Sequence, residues 1–466
     1  MKFSADVFRE DLKLHCELFH LPFVMKRVDL VNMPLEYLER TQNVNTLHLL
    51  DFPFLFDSTF LVRIFRTLNF GSLSEARLSA TYQATLIDRL LSAEDQTKQS
   101  FVINHMKPAL SPYLVLDVRR DHLLKDAFKQ LWGREQRELL RPLKLRMGMG
   151  EGGEEGLDHG GVSQEFFRLV FAKAFDPDAG LFTTDPQTRM NWFQPLSTEP
   201  LATYELLGLL VSLAVYNGVT LPTTFPLALY RKLLGQPVTS LSHIRDGWPT
   251  LAKSFTEVLQ WQDGNVSDVF QVEYAFTFES AGKTYTVAMQ DMDKEHQPWP
   301  TNAEEWTDLF KDAASAPLVT NANRERFVED YVDWLTNRSV AREYEAFERG
   351  FFTCLERKSL AFLSPELLRD IAEGYQEFDI RELKAVAKYE DGYTEDHPLI
   401  KAFWEIVEAY SMEEQRKLLE FVTASDRVPV NGIQSVVFHI LRHGRDSEVS
   451  FFSLYTMSET GNCLLT

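Results

Sequence analysis

The side chains best suited to covalent chemistry in this 466-residue chain are its three thiols, Cys16, Cys354 and Cys463. They stand too far apart for a disulfide framework or a CxxC metal clamp, a usage that fits a reducing compartment. His439 and His443 are spaced HxxxH, and Cys16 and His20 CxxxH, but neither pair has the nearby second half that zinc requires. Positions four apart share a face of a strand, so the two histidines are expected simply to be solvated, and no metal or cofactor is implied. The run GMGEGGEEGLDHGG at Gly148–Gly161 has the glycines of a phosphate cradle. It lacks the Lys-Ser/Thr ending, and Glu151, Glu154, Glu155 and Asp158 would repel phosphate. Two readings stay open for it: an acidic turn facing a lysine amine or a basic partner, and a glycine turn feeding a helix. Neither GxSxG nor HExxH occurs, which leaves hydrolases unsupported.

A second kind of chemistry is recognition. Leu251 and Phe255 are four apart in TLAKSFTEVLQW, and Phe327 and Tyr331 are four apart in NRERFVEDYVDWL. Each pair therefore occupies one helical face. The second helix carries another apolar stripe, Val328, Val332 and Leu335. One stripe can face the core while the other faces outward. Spacing alone leaves core packing and a docking groove both open.

The elements that must position these residues follow from patterning. Residues 1 to about 110 form a helical extension, with the aromatic strip LDFPFLFDSTFLVRIFRTLNF leaving helix at Asp51-Phe52-Pro53. The polar stretch Ser92–Ser100 is a joint. LVLDVRRDHLLKDAFKQL predicts a strand running into a helix with Leu123, Leu124, Ala127, Phe128 and Leu131 on its buried face. Tyr204–Tyr216 predicts a buried helix stopped near Asn217-Gly218. Ser364-Pro365 and the Ser411/Glu414 capping box start two later helices. Asp291–Ala316 is an inserted polar loop, and a lobe boundary is placed near Phe378.

Composition bounds the function classes. Residues are 44% hydrophobic and 12% aromatic. A chain of this length and composition supports two or three cores. A formal net charge of -20 argues against nucleic acid or an anionic membrane as the main partner. The longest apolar run, Leu206–Tyr216, is about half a membrane span, and no leader-like start is present. A soluble intracellular protein, cytoplasmic or nuclear, is expected.

Seven segments in order make the chain resemble the HECT family of E3 ubiquitin ligases over Tyr113–Glu448. They are VRRDHLLKDAFKQL, GEEGLDHGGVSQEFF, LLVSLAVYNGVTLPTTFPLALYRKLLG, LVTNANRERFVEDYVDWL, YEAFERGFF, KYEDGYTEDHPLIKAFWEIV and LLEFVTASDRVPVNG. The short extension and the polar insertion look most like small fungal members. The resemblance implies an α+β, bilobal fold: a helical extension at 1–110, a large mainly helical N-lobe at 111–377 with an E2-binding subdomain about 240–335, a small α/β C-lobe at 378–448, incomplete, and a discordant tail at 449–466. It also implies partners, namely a ubiquitin-charged E2 enzyme, ubiquitin and protein substrates. By the same resemblance Leu251, Phe255, Phe327 and Tyr331 match groove positions that receive an E2 loop, where truncating a central aromatic such as Phe327 would cost roughly 2 kcal/mol or more of affinity. Glu154, Glu155 and Asp158 match acidic positions that help the substrate lysine meet the charged C-lobe.

The family's reaction needs a sulfur, because ubiquitin passes by thioester exchange and a threonine alcohol is far less acidic than a thiol. Counted forward from KYEDGYT, the family cysteine is due at position 456, where this chain has Thr456. The flanking LPTxxTCF is missing, and Cys463 falls seven positions late, so no catalytic nucleophile is assigned. Val449-Ser450 can be encoded by a splice-donor-like string, so the tail is read as intron read-through. A C-lobe lacking its last strand and helix is then expected to expose Leu399, Phe403, Trp404 and Val436. Two functions remain: a ubiquitin transferase in truncated form, and a ligase-dead module that still binds a charged E2.

Overall fold

The computed structural model describes residues 16–40, 47–91, 111–148, 161–280, 282–289, 316–423, 425–433, 436–442, 452–458 and 462–463. After helix α1 (Asn32–Glu39), the Asp51-Phe52-Pro53 step breaks helix as the proline demands. Two short 3-10 turns, Leu49–Asp51 and Pro53–Leu55, precede the long helix α2 (Ser58–Leu91). Strand β1 (Leu114–Val118) runs into α3 (Leu123–Leu131), which buries Leu123, Ala127 and Leu131 and half-buries Leu124 and Phe128. β1 pairs in parallel with β2 (Leu143–Met147), and α4 (Gly161–Ala174) follows. A short antiparallel pair, β3 (Phe182–Thr184) and β4 (Asn191–Phe193), leads to α5 (Leu201–Asn217). That helix is apolar all round, as a buried helix should be, and it is largely buried. Gly218 stops it at φ +79°, the left-handed region that a Cβ disfavours.

Next come α6 (Leu227–Leu233), α7 (Pro249–Gln260), the hairpin of β5 (Ala275–Ser280) and β6 (Lys283–Ala288), α8 (Arg324–Thr336) and α9 (Ala341–Phe351). Ser364 caps α10 (Pro365–Glu373), its hydroxyl accepting from the Leu367 amide at 3.2 Å, as a serine at this position does. The C-terminal part holds α11 (Ile380–Val386), β7 (Ala387–Glu390), α12 (Pro398–Glu408), α13 (Met412–Thr423), β8 (Val437–Arg442), β9 (Phe452–Ser458) and β10 (Asn462–Cys463). At the start of α13 the Ser411 amide donates to Glu414 at 2.8 Å and the Glu414 amide to Ser411 Oγ at 3.4 Å. The reciprocal pair completes the capping box. The polar joint 92–100 and the insertion 291–315 lie outside the described residues.

The chain divides into two compact units. One comprises Met1–Phe171, Leu209–Pro222 and Phe351–Thr466, the other Ala172–Gly208 and Thr223–Gly350. Residues on both sides of Phe378 therefore fall in the first unit. There the helical extension is tied down by a half-buried cation: Arg66 of α2 donates to the Val215 carbonyl at 2.8 Å and the Ile371 carbonyl at 3.5 Å. It thereby supplies a donor to carbonyls at the ends of α5 and α10, where intrahelical donors run out; the Val215 carbonyl also accepts from the Gly218 amide at 3.3 Å. Burial pulls its pKa down to about 10, since the charged form loses hydration. Lys358 does the same for α1 through the Leu38 and Arg40 carbonyls.

A tight joint follows α10. Gly374 adopts φ +66°, ψ -169°, a conformation open essentially to glycine alone. A Cβ there would lie 2.5 Å from the Val428 carbonyl oxygen and 2.8 Å from Thr220 Cγ2. Tyr375 and Val428 form an isolated antiparallel bridge, and buried Arg427 pairs with buried Glu373 at 3.7 Å. Glycine at 374 thus lets two backbones close on one another.

The C-terminal sheet departs from expectation. Its order is β10-β9-β8-β7, with β7 parallel and β9 antiparallel to β8. The tail, expected to match nothing upstream, pairs residue by residue from Phe452 opposite Arg442 to Met457 opposite Val437. Phe452–Ser458 is rich in aromatic and β-prone residues, and the edge of β8 offers amides and carbonyls to any such segment. Trp404 and Val436 are buried, at 1% and 9% exposure, in a core cluster with Leu383, Ile400 and Phe438; Phe403 is half-buried, and of the four only Leu399 is exposed, at 45%. His439 is also corrected: it is buried, with Nδ1 2.7 Å from Glu390 Oε1, because β8 is an inner strand covered on both faces. His443 lies outside the described residues.

Candidate functional site

The four candidate groove residues meet in one cluster between α7 and α8. Pro249 starts α7, where its missing N–H costs nothing. Phe255, nearly two turns on, meets Phe327 edge-to-face at 5.2 Å and Tyr331 at 4.8 Å, while Phe327 and Tyr331 are 5.9 Å apart. Such T-shaped contacts set the positive edge of one ring against the negative face of the next. Beneath them Tyr274 packs on Phe327 at 5.3 Å and Phe276 on Tyr331 at 5.1 Å. Leu251 and Tyr331 are half-buried; Phe255 and Phe327 are buried, at 6% and 1% exposure.

This differs from one stripe in and one stripe out. Phe327, Val328 and Val332 are all buried, and polar exposure is left to Glu325, Arg326 and Glu329. The hairpin β5–β6 explains the difference, since Phe276, Phe278 and Val287 come under α8 and close the cluster from below. A sequence window containing only α8 cannot register that cover.

Sequence reasoning missed the polar frame that fixes the crossing of the two helices. Arg324, at the start of α8, donates to the Val258 and Trp261 carbonyls at 3.3 and 2.7 Å. A cation there satisfies the orphan carbonyls at the end of α7 and suits the negative end of its dipole. Asn321 accepts from the Val266 amide at 2.9 Å and donates to the Gly264 carbonyl at 3.1 Å. Asn323 accepts from the Thr320 amide at 2.7 Å. The signal was the Asn-Ala-Asn-Arg run just ahead of an amphipathic helix, a capping pattern. Inside the cluster Tyr274 donates to Asp330 at 2.7 Å, and burial together with that carboxylate raises the phenol pKa. Both causes disfavour the phenolate. Burial also pushes the Tyr331 hydroxyl up to about 12.

Chemically the cluster offers apolar and aromatic surface, and its close hydroxyl–carboxylate pair, Tyr274 with Asp330, keeps the phenol protonated. Exposed large hydrophobic side chains next in sequence to members of the cluster are Val269, at 54%, and Leu318, at 41%. Among the thiols, Cys354 is buried near the Leu139 carbonyl, and burial drives its pKa up to about 12. A thiol so rarely ionised is inert. The backbone of position 456 is paired opposite Phe438 in mid-strand, and that of Cys463 opposite Met457 at the sheet's far edge. Glu154, Glu155 and Asp158 lie outside the described residues. Among the described residues no group of His, Cys, Asp or Glu could hold a metal ion, and no helix is long and apolar enough to cross a membrane.

Comparison with known proteins gives this geometry its context. The family model for the HECT domain, a ubiquitin transferase, matches residues 168–451. The chain is 30% identical over 396 residues to mouse "Probable E3 ubiquitin-protein ligase HERC4", covering 82% of this chain and 35% of that protein. It is 31% identical over 346 residues to human "Probable E3 ubiquitin-protein ligase HECTD2", covering 71% and 41%. A fungal relative, "Probable E3 ubiquitin-protein ligase HUL4" of Eremothecium gossypii, is 30% identical over 354 residues, covering 73% and 39%. The chain thus spans less than half the length of these relatives. Seven ordered sequence segments, an α+β architecture and a family match across most of the chain together mean that this protein belongs to the HECT family of E3 ubiquitin ligases.

Proposed function

We propose that the α7–α8 cluster is the docking site for a ubiquitin-charged E2 and that the fold serves cysteine-relayed ubiquitin transfer. The observation that carries this is the convergence of Leu251, Phe255, Phe327 and Tyr331, drawn from two helices distant in sequence, into one cluster with Leu251 and Tyr331 at its accessible rim. In the reaction a thiolate attacks the E2-bound ubiquitin carbonyl, the new carbon–sulfur bond replaces the old, and the E2 thiolate leaves. A substrate lysine then attacks the second thioester, the new carbon–nitrogen bond replaces the carbon–sulfur bond, the ligase thiolate leaves, and the amine gives its proton to a base. Glu154, Glu155 and Asp158 are the carboxylates proposed to position that amine and take the proton.

Thr456 cannot fill the thiol's role, and the burial of Cys354 favours a second reading for the chain as written: it docks a charged E2 without accepting ubiquitin. Two measurements separate the readings. Leu251→Ala and Tyr331→Ala are expected to weaken E2 binding by about 2 kcal/mol, roughly thirtyfold, while the fold survives. Unchanged affinity would remove the docking assignment. Phe327→Ala is the poorer probe, because it also empties a buried site. With labelled ubiquitin, no reducible adduct is expected. An adduct abolished by Cys463→Ala would overturn the transfer-dead reading and leave docking intact.

A further inference from the structure

We infer that the outer face of the long helix α2 pairs with the same face of a second copy of this chain, antiparallel, about a two-fold axis at Tyr82. The first half of α2 is sunk in its own unit through Phe60, Ile64, Phe65 and Leu68. In the second half the inward row is small and short-chained: Ala80 is buried, and Ala76, Ala84 and Ile87 are half-buried. On the opposite row Leu78, Tyr82 and Leu86 stand 69%, 66% and 39% exposed. Residues four apart share a helical face, so these three make one apolar stripe. A helix held by its inner row and apolar on its outer row has a second face to bury, and among the described residues nothing covers it.

The charges on that row say what covers it. Leu78 and Leu86 are each four residues from Tyr82, and the exposed Glu75 and Arg89 are each seven from it, on opposite sides. An antiparallel copy centred on Tyr82 therefore sets Leu78 against Leu86, Tyr82 against Tyr82, and Glu75 against Arg89, twice over. A parallel copy would set Glu75 against Glu75 and Arg89 against Arg89, repelling at both ends. The other nearby cation, Arg77, is drawn inward over the Tyr113 ring at 5.2 Å and leaves the seam clear. The net charge of -20 opposes association of two copies at long range, and salt screens it. Three apolar side chains per copy make a short seam, so the dimer is of the weak, reversible class.

The test is sedimentation velocity of the full chain over a concentration series. A reversible monomer–dimer equilibrium is expected, and Tyr82→Glu should abolish it without loss of helical signal. Glu75→Arg and Arg89→Glu, made singly, place like charges across the seam and should each weaken the dimer about tenfold. Combined in one chain they restore opposite charges, and the dimer should return to near its original strength. A chain that stays monomeric, a dimer indifferent to Tyr82→Glu, or a double swap no better than the single ones overturns the proposal.

Discussion

Around Phe255 and Phe327 the side chains make the architecture; around position 456 the backbone does. The α7–α8 cluster exists because its rings and Leu251 interlock under a capped helix crossing, so replacing any of them changes the site. β9 exists because a β-prone segment can satisfy the edge of β8, and its residue identities matter far less. A cluster built from side chains thus depends on which residues fill it, whereas a strand held by backbone pairing tolerates their exchange.

The largest effect is expected at Phe327. Phe327→Ala should destabilise its unit by about 3–5 kcal/mol, read by denaturant unfolding, because a fully buried ring leaves a cavity among Phe255, Tyr274 and Tyr331. A loss below about 1 kcal/mol would mean that the cluster is an open groove after all.

Position 456 is the matching test of backbone control. Thr456→Pro removes an amide from a paired strand and should cost on the order of 2–3 kcal/mol, while Thr456→Val should change stability by less than about 0.5 kcal/mol. Two equal effects would show that side-chain identity, rather than pairing, decides this strand; two null effects would remove β9 from the sheet.

A smaller change probes the polar side of the α7–α8 cluster. Tyr274→Phe leaves Asp330 with one hydrogen bond fewer in a buried setting and should cost about 1–2 kcal/mol at neutral pH. It also alters the alkaline limb. The Tyr274 pKa is raised on folding, so its contribution is complete below the ordinary phenol value and is lost as pH climbs through the folded value. The wild type should therefore lose stability from about pH 10 upward, and Tyr274→Phe should flatten that decline. The smallest effect is expected at Leu399, where Leu399→Ser should stay within about 0.5 kcal/mol; a large loss would mean that this exposed side chain is covered in solution.

Much of the fold was legible because it rests on short-range physics. Ser364, Ser411 with Glu414, the Pro53 break and the Gly218 stop are local signals, and each holds at its predicted place. The buried row of α3 follows from helical spacing alone. The meeting of Leu251, Phe255, Phe327 and Tyr331 was legible in a different way: spacing put each pair on one face, and only the family resemblance joined the two helices. The cover supplied by β5–β6 was invisible because it comes from a distant hairpin. His439 was misjudged for a related reason, since solvation was argued from one strand while burial depends on both neighbours. The tail's pairing was missed because a motif comparison asks which residues are present, and an edge strand asks only for a compatible backbone.

The buried thiol of Cys354 gives the molecule a built-in clock. Its sulfur is held as the thiol near the Leu139 carbonyl. It cannot meet an alkylating reagent until its surroundings open, so its modification rate, followed on its own peptide, counts opening events of that unit. Slow modification would report a unit that rarely opens, and a partner binding to it would be visible as a further slowing. The cysteine unfit for ubiquitin transfer is thus well placed to time the motions of the fold around it.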